Sequence, residues 1–464
     1  MRILLKCPTR SRPSQFIRVL SKYIALANRP DLLGICISCD QDDPSMLESS
    51  VQHQIKNITH RVAWSEIYYG NSTNKIEAVN ADMSSIDWPW EMVVIVSDDM
   101  VPQVKGYDDV LRCHMIAKFA DTDGILWVND GTQADHLNTI SIMGRKMYES
   151  FGYLYNPAYK SLFCDTEFTD LCKGSLASKC TYIPYMLIRH EHPGTGFPQR
   201  NDALYVRNHT FWYTDLMTYI SRKNYEYDWT ILIPTITGRE SRLYTLLESI
   251  EERRKRICPS LKLEVRLSFD NREKKIGTKR QELLMSVKGK YMSFVDDDDL
   301  LTDEYFEDAL ATIQGNYHVC RLRGQMNQYT FTHSIENTLD KPMCEGDVFL
   351  RPPNHLNVML SDIGKLFSFG DAIRGEDLDW TIRLAKSNNL QREYRSDSHR
   401  IHYIYNLGNR TVSPETAEIQ RKTNYQTMLK MVWLDGGATY SPPSSESGPR
   451  PGGLRLSARG FVSK

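Results

Sequence analysis

A chain of 464 residues is too long for one ordinary hydrophobic core, so two domains or one large one are expected. Hydrophobic residues make up 41% and charged residues 25%, the balance of a folded globular protein rather than a disordered or fibrous one. A formal net charge of -1 excludes a global basic field for nucleic acid, though not a local basic groove.

No run resembles a membrane span of about 20 apolar residues, and the start, MRILLKCPTR, has too short an apolar stretch for a signal peptide. Ten cysteines without a secretory signal fit reduced thiols and a cytoplasmic location. Cys36 and Cys39 form a lone CxxC on a strand, where positions three apart face opposite sides, so they are expected in the core.

The first element is a β run, RILLKCPTRSR (2–12), ending in Pro-Thr and then Arg. A helix follows, with Phe16, Val19, Leu20, Tyr23 and Ile24 at helical spacing. A second strand, GICISCD, ends in Asp40. A polar turn opens the next helix, STNKIEAVN, with Lys75. A third strand, VVIVSDD, ends in Asp98 and Asp99. Downstream come HLNTISIMGRKMYESFG (136–152), CDTEF (164–168) with Asp165, and IRHEHP with His190. His192 is an alternative to His190.

The plan then repeats. WTILIPTITGRESR (229–242) carries Thr235 and Arg239 and leads into a helix with Leu243, Leu246, Leu247 and Ile250. VRLSFD ends in Asp270, IGTKRQELL holds Lys279, and MSFVDDDD ends in Asp296, Asp297, Asp298 and Asp299. HLNVMLSDIGKLFSFG (355–370), EDLDW with Asp377, and HRIHYIY with His402 complete it. Asp165 to His190 and Asp377 to His402 both span 25 positions (190 − 165 and 402 − 377). Aligning SDDM with DDDL sets Asp98 and Asp99 opposite Asp298 and Asp299, so the first copy lacks one expected carboxylate. The tail is different in kind: 13 of the 20 residues from Ser441 to Gly460 are Ser, Pro or Gly, a composition of disorder.

Alternating strands and helices with polar residues at strand ends predict an α/β sheet binding ligands at the carboxyl ends of its strands. Taken singly, each motif has a plainer reading. Four aspartates make a solvated turn, Glu376 and Asp377 suit any helix N-terminus, and His402 between apolar residues suits a core. Together, the carboxylates and one imidazole suit Mn²⁺ or Mg²⁺ on a diphosphate, and the later Asp suits a general base.

This ordered set resembles the GT-A fold (Rossmann-like, nucleotide-diphospho-sugar transferase) of family 2-like glycosyltransferases. The resemblance implies two tandem domains, 1–222 and 226–433, with a disordered tail at 434–464. It implies Thr235, Arg239, Asp270, Lys279, Asp296 and Asp297 in donor binding, matched by Thr9, Arg10, Asp40 and Lys75. Asp298, Asp299 and His402, matched by Asp98, Asp99 and His190, would hold the metal. Asp377 and Asp165 would be the bases, with copy two the safer catalytic choice.

The implied reaction is metal-dependent, inverting transfer from a UDP-linked or other nucleotide sugar to a hydroxyl of a polysaccharide or hypermodified DNA base. The basic runs RRKR (253–256) and NREKK (271–275) give the DNA acceptor its motive. The alternative is one catalytic half beside a non-catalytic carbohydrate- or nucleic-acid-binding half. A nucleotidyltransferase would need a Gly-rich basic loop after the first strand, which PTRSR and PTITGRESR are not.

Overall fold

The structure, a computed structural model, describes residues 1–191, 202–340, 343–372 and 375–406. The expected tail and His192 lie outside the described residues. The described residues divide into two compact α/β units, the first over Met1–Lys223 and the second beginning at Asn224 and including the described residues up to Asn406. Among the described residues, no helix is long and apolar enough to cross a membrane.

The first unit contains β1 (Ile3–Pro8), β2 (Leu33–Asp40), β3 (Trp64–Gly70), β4 (Met92–Ile95), β5 (Met100–Pro102), β6 (Ile125–Val128), β7 (Ile142–Gly144), β8 (Cys180–Ile183) and β9 (Ile188–His190). Seven form a sheet in the order β3-β2-β1-β4-β7-β6-β8, with β7 antiparallel to its neighbours; β5 and β9 form a ribbon. β1 and β2 are near-continuous apolar runs because a parallel strand is covered on both faces. The helix Pro13–Leu26 buries Phe16, Val19, Leu20, Tyr23 and Ile24, the stripe expected from spacing. Cys36 and Cys39 are buried. One cation interrupts this core: Lys6 of β1 is fully buried, its ammonium donating to Ser38, whose hydroxyl donates to Asp82.

The second unit contains β10 (Tyr227–Ile236), β11 (Leu263–Asp270), β12 (Gly289–Phe294), β13 (Leu300–Leu301), β14 (Val319–Cys320), β15 (Leu322–Met326), β16 (Tyr329–His333), β17 (Cys344–Glu345), β18 (Val348–Arg351), β19 (Met359–Leu360), β20 (Glu393–Tyr394) and β21 (Tyr403–Ile404). Its central sheet runs β11-β10-β12-β19-β14-β20, and a second sheet runs β13-β21-β15-β16-β18-β17. Without β3, the first unit's sheet has the same order and the same parallel and antiparallel pairings.

Register corrects the motif alignment. Lys6 pairs with Ile95, and Leu232, likewise two residues before Pro-Thr, pairs with Phe294. The turn Met100 N–H to Ser97 O (3.1 Å) recurs as Asp299 N–H to Asp296 O (3.2 Å). Asp98 and Asp99 therefore stand opposite Asp297 and Asp298, not Asp298 and Asp299, and the first unit keeps the central pair. The shared HLN is not a structural match either, since Met143 and Met359 occupy the same place opposite Val93 and Met292.

His355 is buried between Phe294 and Phe369, its ring nitrogens without hydrogen-bond partners among the described residues. Burial holds His355 well below the usual histidine range and takes His333 down to about 3. Both stay neutral in the fold while the unfolded chain protonates. Their contribution is therefore complete above pH about 6.5 and declines below it by roughly 1.4 kcal/mol per pH unit for each histidine. Thermal melts from pH 7 to 5 should show this acid loss, and His355→Leu should flatten it by about one histidine's share.

Candidate functional site

A cleft of about 710 Å³ opens at the carboxyl ends of the first unit's strands. Thr9, Arg10, Asp40, Lys75, Asp98, Asp99, Asp165 and His190 all line it. Each comes from the last residue of a strand, the turn that follows one, or a helix start, where the α/β plan collects polar groups.

Asp40 at the end of β2 accepts from Arg10 (2.8 Å) and the Ser72 N–H (3.2 Å). Lys75 opens the helix Lys75–Asn80, capped by Asn74, whose side chain accepts from the Ile76 and Glu77 N–H groups. Among the described residues the Lys75 ammonium has no hydrogen bond or ion pair, while its charge is felt by Asp99 and Asp165.

Asp98 and Asp99 are adjacent and buried. Arg12, which the motif reading passed over, lies 3.0 Å from Asp98 and holds Asp202 through two bonds of 2.7 and 2.9 Å. Burial and the charge of Asp99 still push Asp98 up to about 6. Burial also disfavours charge on Asp99, but His190, 3.5 Å away, outweighs it and keeps the carboxyl below its usual range. Oδ1 of Asp99 and the Thr9 hydroxyl are buried without partners among the described residues. Pairing of β5 with β9 sets Met100 against His190, which brings the imidazole beside Asp99.

Asp165 lies in the first turn of the helix Cys164–Lys173 and accepts from the Thr166 N–H at 2.9 Å. Burial raises its pKa, with Lys75 acting against the rise. Asp130, two residues after β6, anchors the loop at the cleft's other wall. It accepts from the N–H groups of Thr132 and Gln133 and from the hydroxyl of Thr139, and its carbonyl accepts from His190 N–H.

The second unit arranges the matching residues differently. Lys279 donates to Asp270 and to the Thr235 carbonyl. Thr235 and Arg239 both bond Asp297 at 2.6 Å, and Arg239 and Arg242 lie 3.5 and 3.4 Å from Asp298. Buried Arg280 joins Asp296 (3.1 Å) to Glu376 (2.5 Å), the residue before Asp377. Asp299 turns away to the Tyr403 hydroxyl (2.7 Å) and the Asn406 N–H (2.8 Å), with burial raising it to about 7.

His402 is not with the carboxylate cluster at Asp296–Asp298. Its Nδ1 accepts from the Arg323 N–H at 2.8 Å and its Nε2 bonds Asp308 at 2.7 Å, so both ring nitrogens are taken. Thr302 N–H bonds the His402 carbonyl as Gln103 N–H bonds that of Leu187. Tyr405, not His402, therefore stands where His190 stands. The equal 25-residue spacing was coincidence, since strand pairing rather than sequence distance sets the register. Both ring nitrogens of His402 and both carboxylate oxygens of Asp299 thus hold protein partners in this arrangement, so neither stands free beside Asp296–Asp298 for the metal expected from sequence.

No protein-family model matches this chain, and no curated protein matches it. Among solved structures it is similar to S. aureus TarS, with 17% identity over 46% of this chain and 40% of that one, TM-score 0.28. It is also similar to the mannosyltransferase PcManGT from Pyrobaculum calidifontis in complex with GDP-Man and Mn²⁺, with 13% identity over 48% of this chain and 65% of that one, TM-score 0.36. A third is S. aureus TarS 1–349 in complex with UDP, with 17% identity over 41% and 62% of the two chains, TM-score 0.27. The chain spans less than two thirds of each of these three.

Breaking a buried ion pair by removing one partner strands the other charge. Arg280→Ala should destabilise the second unit by about 3 to 5 kcal/mol in urea unfolding. Arg280→Met combined with Glu376→Gln should recover most of that loss.

Proposed function

We propose that the first unit is a metal-dependent glycosyltransferase that takes a nucleotide diphosphate sugar, UDP-linked in the leading reading, and transfers the sugar with inversion to a hydroxyl. The observation that carries this is the convergence of all eight residues named from its sequence on one cleft. The tandem GT-A reading of the whole chain belongs to the same proposal, supported by the common strand order.

Asp40 and Thr9 face the nucleoside, and Arg10 and Lys75 bring positive charge to the diphosphate. Among the described residues, no group of three or more His, Cys, Asp or Glu is arranged to hold a metal. The residues still fit Mn²⁺ or Mg²⁺ bound together with the donor. Asp99 and His190 offer a hard oxygen and a borderline nitrogen, Asp99 Oδ1 is buried without a partner among the described residues, and a diphosphate would supply further oxygens. When bound, the ion neutralises charge on the departing diphosphate. Asp165 receives the proton of the attacking hydroxyl, and its raised pKa makes it a stronger base than an ordinary carboxylate. One base acting opposite the leaving group gives inversion.

The second unit is the weaker catalytic candidate, against the expectation from sequence, because its own arginines and lysine already neutralise its carboxylates. A non-catalytic carbohydrate- or nucleic-acid-binding role suits it. The acceptor, polysaccharide or hypermodified DNA base, is separated by a salt-sensitive gel shift with duplex DNA.

Incubation with UDP- and GDP-sugars plus Mn²⁺ should release nucleoside diphosphate. Asp165→Asn should lower that rate by roughly 100-fold or more, and Asp377→Asn should leave it within about twofold. Absence of both turnover and metal-dependent nucleotide binding would overturn the proposal.

A further inference from the structure

The central sheets of the two units differ at one edge. In the first, β3 lies along β2, and every residue of β2 is buried. In the second, β11 is the edge, with no described strand on its outer side. The Lys262 and Asp270 carbonyls accept from Asp228 and Thr237, on the β10 side. The register between them is unbroken. By the two-residue alternation of a strand, the backbone groups of Leu263, Val265, Leu267 and Phe269 point outward.

Leu267 and Phe269 are 45% and 52% exposed. Edge strands are normally blunted by Lys, Pro or a bulge, but LEVRLSFD contains neither Lys nor Pro. An edge of this length, with an apolar residue at every outward-pointing position, is open to another strand.

We propose that β11 pairs antiparallel with β11 of a second copy of this chain, about a two-fold axis at Val265. The strand is self-complementary about that residue. Leu263 faces the partner's Leu267, Glu264 faces the partner's Arg266, and Val265 faces its own counterpart. Leu263, Val265 and Leu267, three of the four outward-pointing residues, fall in hydrogen-bonded pairs. Glu264 and Arg266 already meet at 2.7 Å within the strand, so pairing builds an alternating cluster of four charges. Registers centred on Glu264, Arg266 or Leu267 fail on charge, and one centred on Leu263 pairs only the first few residues of the strand. An axis at Glu264 sets acid on acid, one at Arg266 sets base on base, and one at Leu267 sets Glu264 against Asp270. A two-fold axis also makes the contact close on itself rather than grow into a fibre.

Sedimentation of the full chain at micromolar concentration should give twice the 53.7 kDa chain mass. Val265→Pro removes an outward N–H and none of the bonds to β10, and should give a monomer with an unchanged circular dichroism spectrum. Arg266→Glu should also give a monomer, and Glu264→Arg with Arg266→Glu should restore the dimer. In the unaltered chain the amides of Leu263, Val265 and Leu267 should exchange slowly. A monomeric unaltered chain, fast exchange at those amides, or a dimer that survives both single variants would overturn the proposal.

Discussion

Carboxylates gathered at the carboxyl ends of parallel strands, and withdrawn from water, can stay ionised only if something positive faces them. That requirement organises both units. The first meets it partially, with Arg12 on Asp98 and His190 on Asp99, and among the described residues leaves an oxygen of Asp99 unpartnered at the cleft. The second meets it from within, with Arg239 on Asp297, Arg280 on Asp296 and Lys279 on Asp270, while Asp299 has only the neutral Tyr403 hydroxyl and the Asn406 N–H and is pushed up to about 7. The same framework thus carries one polar cleft able to receive charge and one network that has largely satisfied its own.

Small sequence differences produce this divergence. After the shared lysine, the first unit has Ile76 and the second Arg280. Before the shared aspartate, the first has Cys164 and the second Glu376. Arg280 and Glu376 are bonded to each other, so the two changes are one event in physical terms: a buried ion pair replaces two side chains of low charge. Neither member is tolerable alone, since an unpaired buried charge is strongly unfavourable.

The elements and the first unit's cleft were legible because they rest on local rules. Period-3.6 stripes marked the helices at Phe16 and Leu243, apolar runs marked β1 and β2, and strand-end polar residues marked the site. What sequence could not resolve was register. A one-residue shift in DDDD or a three-residue shift at His402 changes no motif, yet backbone pairing fixes both. The charge partners were also missed. Arg12 and Arg280 are ordinary arginines in sequence, and only their proximity to Asp98 and Asp296 distinguishes them; the one available signal was that each stands within two residues of a residue already singled out, Arg10 or Lys279.

The internal network of the second unit is not explained by stability. A buried ion pair contributes little net stability over an apolar pair of similar volume, because desolvating two charges offsets their attraction. An apolar pair between those two helix starts would have folded as well while leaving Asp296 without Arg280. What the ion pair does accomplish is to fix positive charge against Asp296 beside Asp377, so any cation or acceptor entering there must displace a guanidinium. In the first unit Ile76 and Cys164 flank Lys75 and Asp165, and the guanidinium at its acidic pair, Arg12, is engaged by Asp98 and Asp202, leaving Asp99 Oδ1 without a partner among the described residues. Electrostatic competition, rather than loss of the acidic residues themselves, is therefore what separates the two halves.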